Sequence, residues 1–82
     1  MPQSTIRKLA AVIERLNKIA NDKDEMHFDA INETIGVTVG FSPPTVQLYR
    51  ERLMKGGYIK PSPTRNSYFV LQPKALKVLE NV

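Results

Sequence analysis

The chain has 82 residues, a mass of 9.3 kDa, no cysteine and a net charge of +4, which is the size of one small domain covering residues 1–82 and too little chain to hide more than about 60% of its unfolded surface. Without cysteine, disulfides and thiolate metal sites are excluded. No apolar run approaches the roughly 18 residues of a membrane span, and the opening MPQSTIRK lacks the apolar centre of a signal peptide. These features predict a cytoplasmic, intracellular or nucleoid-associated chain without a membrane partner.

Ser4 or Thr5 can cap a first helix, along which Ile6, Leu9, Ile13, Leu16 and Ala20 recur at spacings of three and four, with Val12 and Ile19 beside them. Arg7, Lys8, Glu14, Arg15 and Lys18 fall mostly on the other side, as a solvent face requires. The stripe is wide enough to serve both its own core and a partner subunit; packing within the monomer is the preferred reading. Residues 21–25 are polar and aperiodic, hence a loop, and Met26-His27-Phe28 reads as a short strand with Asp29 as the N-cap of a second helix. His27 is the single histidine and has no cysteine or second histidine beside it, so no metal site is expected.

The second helix, carrying Ala30, Ile31, Thr34 and Ile35, has two candidate ends. It stops at Gly36 before a longer loop, or runs through Val39 and stops at Gly40. The second alternative keeps the turn before Ser42 short, although the β-branched run Val37-Thr38-Val39 counts against it. Ser42 and Pro43 then start a third helix, the serine hydroxyl capping and the proline suiting a first helical position. Val46, Tyr49 and Leu53 fall on one face, leaving Pro44, Gln47, Leu48, Glu51 and Lys55 on the other. Gly56 and Gly57 supply the φ > 0 geometry that ends helices. Tyr58-Ile59-Lys60 and Ser67-Tyr68-Phe69-Val70-Leu71 are rich in strand formers, and the turn-rich 61–66 between them makes a hairpin. Pro73 opens a last helix whose Ala75, Leu76, Val78 and Leu79 close over the core while Lys74 and Lys77 stay outside. No internal repeat or low-complexity segment interrupts this order.

Charge is uneven along the chain. Residues 1–40 carry five basic and six acidic side chains, whereas 41–82 carry seven basic and two acidic. A basic half attracts polyanions by counterion release without distinguishing DNA from RNA.

Three runs, Ser42-Pro43-Pro44-Thr45-Val46, Leu53-Met54-Lys55-Gly56-Gly57-Tyr58-Ile59 and Val70-Leu71-Gln72-Pro73-Lys74-Ala75, resemble winged helix-turn-helix transcription regulators of the broad kind that includes the MarR-like and LexA-like families. The resemblance covers about residues 25–80. It implies an α+β fold, a small winged helix-turn-helix with a three-helix core, a two- to three-stranded wing and a C-terminal helix. The chain departs from the family pattern in offering two glycine-hydrophobic-Ser/Thr turns, Gly36-Val37-Thr38 and Gly40-Phe41-Ser42, where such sequences usually have one.

The function implied is sequence-specific binding of double-stranded DNA by a transcription regulator, with the helix of residues 42–55 in the major groove and the 58–71 hairpin as wing. Base edges present donors, acceptors and thymine methyls, so Gln47 is suited to adenine, Thr45 to either bonding role and Leu48 to a methyl group. Ser42 and the backbone N–H groups at the helix start suit a phosphate, and Pro44 is counted with them as a contact residue. Lys55 and Lys60 add positive charge, and Arg65 with Asn66 places a cation and an amide at the wing tip. Arg52 either joins them or pairs with Glu51 or an acid of the second helix; Arg50 lies near the core edge and snorkels.

A homodimer is expected, because one module buries little DNA. The same fold as a protein-interaction module in a larger assembly, with Leu48, Met54 and Tyr58 as anchors, is the alternative. An RNA binder stacking bases on Tyr58, Tyr68 and Phe69 is a third. With no glycine-rich phosphate loop, no cysteine and no histidine with a partner, neither catalysis nor a cofactor is expected.

Overall fold

The computed structural model describes residues 3–80. Its elements run α1 (Gln3–Ile19), β1 (Glu25–His27), α2 (Phe28–Val39), α3 (Pro43–Lys55), β2 (Ile59–Pro61), β3 (Tyr68–Leu71) and α4 (Pro73–Glu80). The strands form one antiparallel sheet in the order β1-β3-β2. The result is a small α+β fold of helices wrapped on one short sheet.

The core is where the periodic faces meet. α1 contributes Leu9, Val12, Ile13 and Leu16, α2 contributes Ile31 and Ile35, and α3 contributes Tyr49 and Leu53. Met26, Ile59, Leu71 and Ala75 close the cluster from the sheet and α4. The stripe of α1 is longer than the core it serves: Ile6 and Ile19 at its two ends remain 45% and 49% exposed. α1 begins at Gln3, ahead of Ser4 and Thr5, so neither sits at the expected cap position; the side chain of Ser4 lies outside those described.

The loop before the sheet is ordered by Asn21, whose Oδ1 accepts from the N–H groups of Lys23 and Glu25 at 2.9 and 2.8 Å. This arrangement brings Glu25 out of the expected loop and into β1, while Phe28 belongs to α2 and not to the strand. The N-cap of α2 is accordingly His27, not Asp29: His27 Nδ1 accepts from the Asp29 N–H at 3.0 Å, and Asp29 contributes its charge within the first turn.

α2 runs to Val39 and ends at Gly40, whose N–H bonds to the Gly36 carbonyl at 2.9 Å. The β-branched residues do not stop it. Thr34 and Thr38 donate their hydroxyls back to the carbonyls of Ala30 and Thr34, and Val39 packs on the core. Residues 40–42 alone then separate α2 from α3.

α3 starts after Ser42, which has the extended backbone of an N-cap but makes no capping hydrogen bond; its hydroxyl donates to Thr45 Oγ1 at 2.7 Å. The helix ends in a paired lock, Tyr58 N–H to Leu53 carbonyl and Gly57 N–H to Met54 carbonyl, the geometry of a Schellman motif. Of this glycine pair Gly57 alone has positive φ, at 76°; Gly56 is right-handed helical at −75°.

β2 includes Pro61, which the sequence places in the turn. It is tolerated there because β2 is an edge strand, paired only with β3 through Ile59–Leu71, Lys60–Val70 and Pro61–Phe69. β3 is central, and its other edge pairs with β1. In α4, Ala75 is fully buried and Val78 and Leu79 pack on the core, but Leu76 is 37% exposed and does not close over it as expected.

Candidate nucleic-acid interface

α3 packs on the core through Tyr49 and Leu53, with Val46 half-buried beside them. Its 3.6-residue period therefore turns Pro44, Gln47, Leu48, Glu51 and Lys55 outward, all of them exposed. Thr45 is half-buried and its hydroxyl is engaged by Ser42. Gln47 is not idle either: its Nε2 donates to Glu51 Oε1 at 3.2 Å, one turn on. The first turns of α3 thus present an amide and a hydroxyl pair, with Glu51 as the one acid among them; Pro43 and Pro44 carry no backbone N–H, so Thr45 is the first residue of the helix that has one.

Leu48 has apolar neighbours that its sequence position does not reveal. It lines a surface groove together with Ile6 of α1 and Val78 of α4, so its 44% exposure is shared with other apolar side chains. Arg52 lines the same groove. Of the two alternatives for Arg52, the pairing with an acid is not found: among the described residues no acid pairs with it, and its Nη1 is buried without a hydrogen-bond partner. Arg50 is held as expected at the core edge, donating to Asn32 Oδ1 at 2.8 Å with its guanidinium 5.0 Å from the Phe28 ring centre.

Hairpin residues 62–67 link β2 to β3, and Arg65 and Asn66 there are exposed. Ser62 orders the link, its Oγ accepting from the N–H groups of Thr64 and Arg65. Arg65 does not extend freely into solvent. Its guanidinium lies 3.6 Å from the Tyr68 ring centre and donates to Glu25 Oε1 at 3.1 Å. The Glu25 carboxyl is held below the usual carboxylate range, most strongly by the Asn21 amide that donates to it at 3.0 Å and further by Arg65, against the opposing effect of desolvation. Lys60 is exposed on β2, and Lys74 stands 5.2 Å from the Tyr58 ring centre.

The expected site residues therefore fall into three groups. Ser42, Pro44, Thr45 and Gln47 are neighbours at the start of α3, whereas Lys60, Arg65 and Asn66 belong to the hairpin. Leu48, Arg52 and Lys55 lie together along the groove at the other end of α3. Sequence reasoning missed Glu25 as the partner of Arg65, because the two are 40 positions apart and meet only through the β1–β3 register. It also missed Asn21, although an Asn followed four positions later by the first strand residue is a local turn signal.

Among the described residues, no group of three His, Cys, Asp or Glu side chains could hold a metal ion, and no helix is long and apolar enough to cross a membrane. Compared with models of protein families, with curated proteins and with solved structures, the chain matches none of them.

Proposed function

We propose that the chain is a winged helix-turn-helix module that binds double-stranded DNA and serves as a transcription regulator, with α3 in the major groove and the β2–β3 hairpin as wing. The observation that carries this reading is the setting of α3. It follows α2 after residues 40–42, packs inward by Tyr49 and Leu53, turns Pro44 and Gln47 to solvent and leads into an antiparallel hairpin. An amphipathic helix of this width fits the major groove.

In this reading Gln47 and Thr45 read base edges, at the cost of the Glu51 and Ser42 hydrogen bonds they now make. The Ser42 hydroxyl and the Thr45 N–H, the first backbone donor after the two prolines, meet a phosphate, assisted by the positive end of the helix dipole. Lys60, Arg65 and Asn66 contact the backbone beside the groove, and the positive excess of residues 41–82 supplies salt-dependent affinity. Two copies form the working unit, since a two-fold pair doubles the contacted site; light scattering that finds a monomer at working concentration, with a half-site bound as tightly as a full site, rejects the pair.

The test is a duplex titration at several salt concentrations with the natural chain, Gln47→Ala and Lys60→Ala. Gln47→Ala is expected to flatten the preference among sequences by about 1–3 kcal/mol at one base position. Lys60→Ala is expected to weaken all duplexes alike and reduce the salt slope by about 0.9. Three superimposable titrations reject the DNA reading.

A further inference from the structure

Between the start of α1, the second half of α3 and the end of α4 lies an open groove of about 590 Å³. Its walls are apolar: Ile6, Leu48, Tyr58 and Val78 line it, and Ile6 and Leu48 are each nearly half exposed. Glu51, Arg52 and Lys55 supply its charge. Glu51 already accepts from Gln47, whereas among the described residues neither cation has an acidic partner. Arg52 is the more telling of the two. Its Nη1 is sealed from solvent with no acceptor, although buried charged donors are normally paired.

Four kinds of occupant can be compared on these features. A duplex offers apolar walls little beyond thymine methyls, because its phosphates need donors. A second copy related by a two-fold axis would bring the same excess of positive charge, two cations against one Glu51, to both sides of the contact. A small molecule in an open trough would leave much of its surface in water, where such ligands are usually 70–90% or more buried. A peptide can lay apolar side chains along the trough, offer a carboxylate to the guanidinium and keep its remaining face in solvent.

We propose that this groove docks an acidic amphipathic peptide segment of a partner protein, its apolar side chains between Ile6, Leu48 and Val78 and a carboxylate on Arg52. The site uses the second half of α3, behind Thr45 and Gln47, and does not depend on the DNA reading. Its complementarity is of two kinds at once: the apolar walls select leucine-like side chains, and the unpaired cations select acids over bases.

The probe is an acetylated, amidated helical peptide with leucines at i, i+4 and i+7 and glutamates between them, added to the full 15N-labelled chain and followed by amide shifts. Saturable shifts concentrated at Ile6, Leu48, Arg52 and Val78 are expected. Replacing the glutamates by lysine, or the leucines by serine, should abolish them on the unaltered protein, so the comparison does not rely on any variant folding. Arg52→Gln should weaken binding roughly tenfold or more, and the exposed Lys55→Gln by less. The proposal is overturned if the acidic peptide gives no saturable shift or if the lysine peptide shifts the same amides equally. It is also overturned if those amides respond to dilution of the protein alone, which marks a second copy, or if duplex DNA shifts Ile6 and Val78, the two that lie outside α3, as strongly as the peptide does.

Discussion

A phosphate that recruits Arg65 must compete with two existing contacts, the Glu25 carboxylate at 3.1 Å and the face of Tyr68 at 3.6 Å. The pair, with Arg65 half in solvent and the Glu25 carboxylate largely covered, decides how available the cation is. Glu25→Gln keeps the side-chain length and removes the charge, so duplex affinity is expected to rise and the salt slope to steepen as Arg65 is released; an unchanged titration would show that Arg65 takes no part. The same residue links stability to pH. Because its folded pKa is lowered, its contribution is complete above the ordinary glutamate range and is lost as pH falls through the lowered value. Acid unfolding followed by circular dichroism should therefore show a weaker pH dependence in Glu25→Gln than in the natural chain.

At the level of elements, two glycines have opposite meanings. Gly57 holds φ at 76° and its N–H closes the end of α3 on the Met54 carbonyl, so Gly57→Ala must strain the backbone and is expected to cost about 1 kcal/mol or more. Gly36 lies inside α2, and the nearest atoms that a Cβ there would meet all belong to the Phe41 ring. Phe41 is 60% exposed and free to swing away. Gly36→Ala should gain helix propensity of up to about 1 kcal/mol and offset what the ring loses, leaving stability near the natural value. Chemical denaturation of the two variants side by side tests the contrast; equal losses in both would mean that Phe41 is fixed over α2. The extra glycine turn in the sequence thus has a structural use, since Gly36 makes room for the ring while Gly40 ends the helix.

For the molecule as a whole, one cluster receives side chains from every helix and every strand. A domain of this size has roughly 4–12 kcal/mol of stability to lose. Leu53, fully buried at the end of α3, is expected to take about 2–5 kcal/mol of that when cut to alanine. Urea unfolding should show a lower midpoint with an unchanged slope; a loss below about 1 kcal/mol would mean that α3 is not anchored where the structure has it. The exposed apolar residues Ile6, Ile19, Val37, Phe41, Leu48, Met54 and Leu76 remain outside this cluster. They are spread over several faces, and only Ile6 and Leu48 line the groove with the unpaired guanidinium.

Much of this architecture was legible without coordinates. Periodicity located α1 and α3 and their inward faces, Gly57 and Pro73 marked ends and starts, and the length of the link before Ser42 selected Gly40 over Gly36 as the end of α2. These are local determinants, set by spacing and by the backbone preferences of glycine and proline. The cap of α2 was misplaced because His27 supplied a ring nitrogen where an aspartate was expected, and Ser42 turned to Thr45 instead of capping. The pairing of Arg65 with Glu25, the burial of Arg52 Nη1 and the meeting of Leu48 with Ile6 and Val78 were decided only by tertiary structure. Each joins residues far apart in the chain, through a strand register or a helix crossing that no single segment encodes, and each changes what its side chain is free to bind.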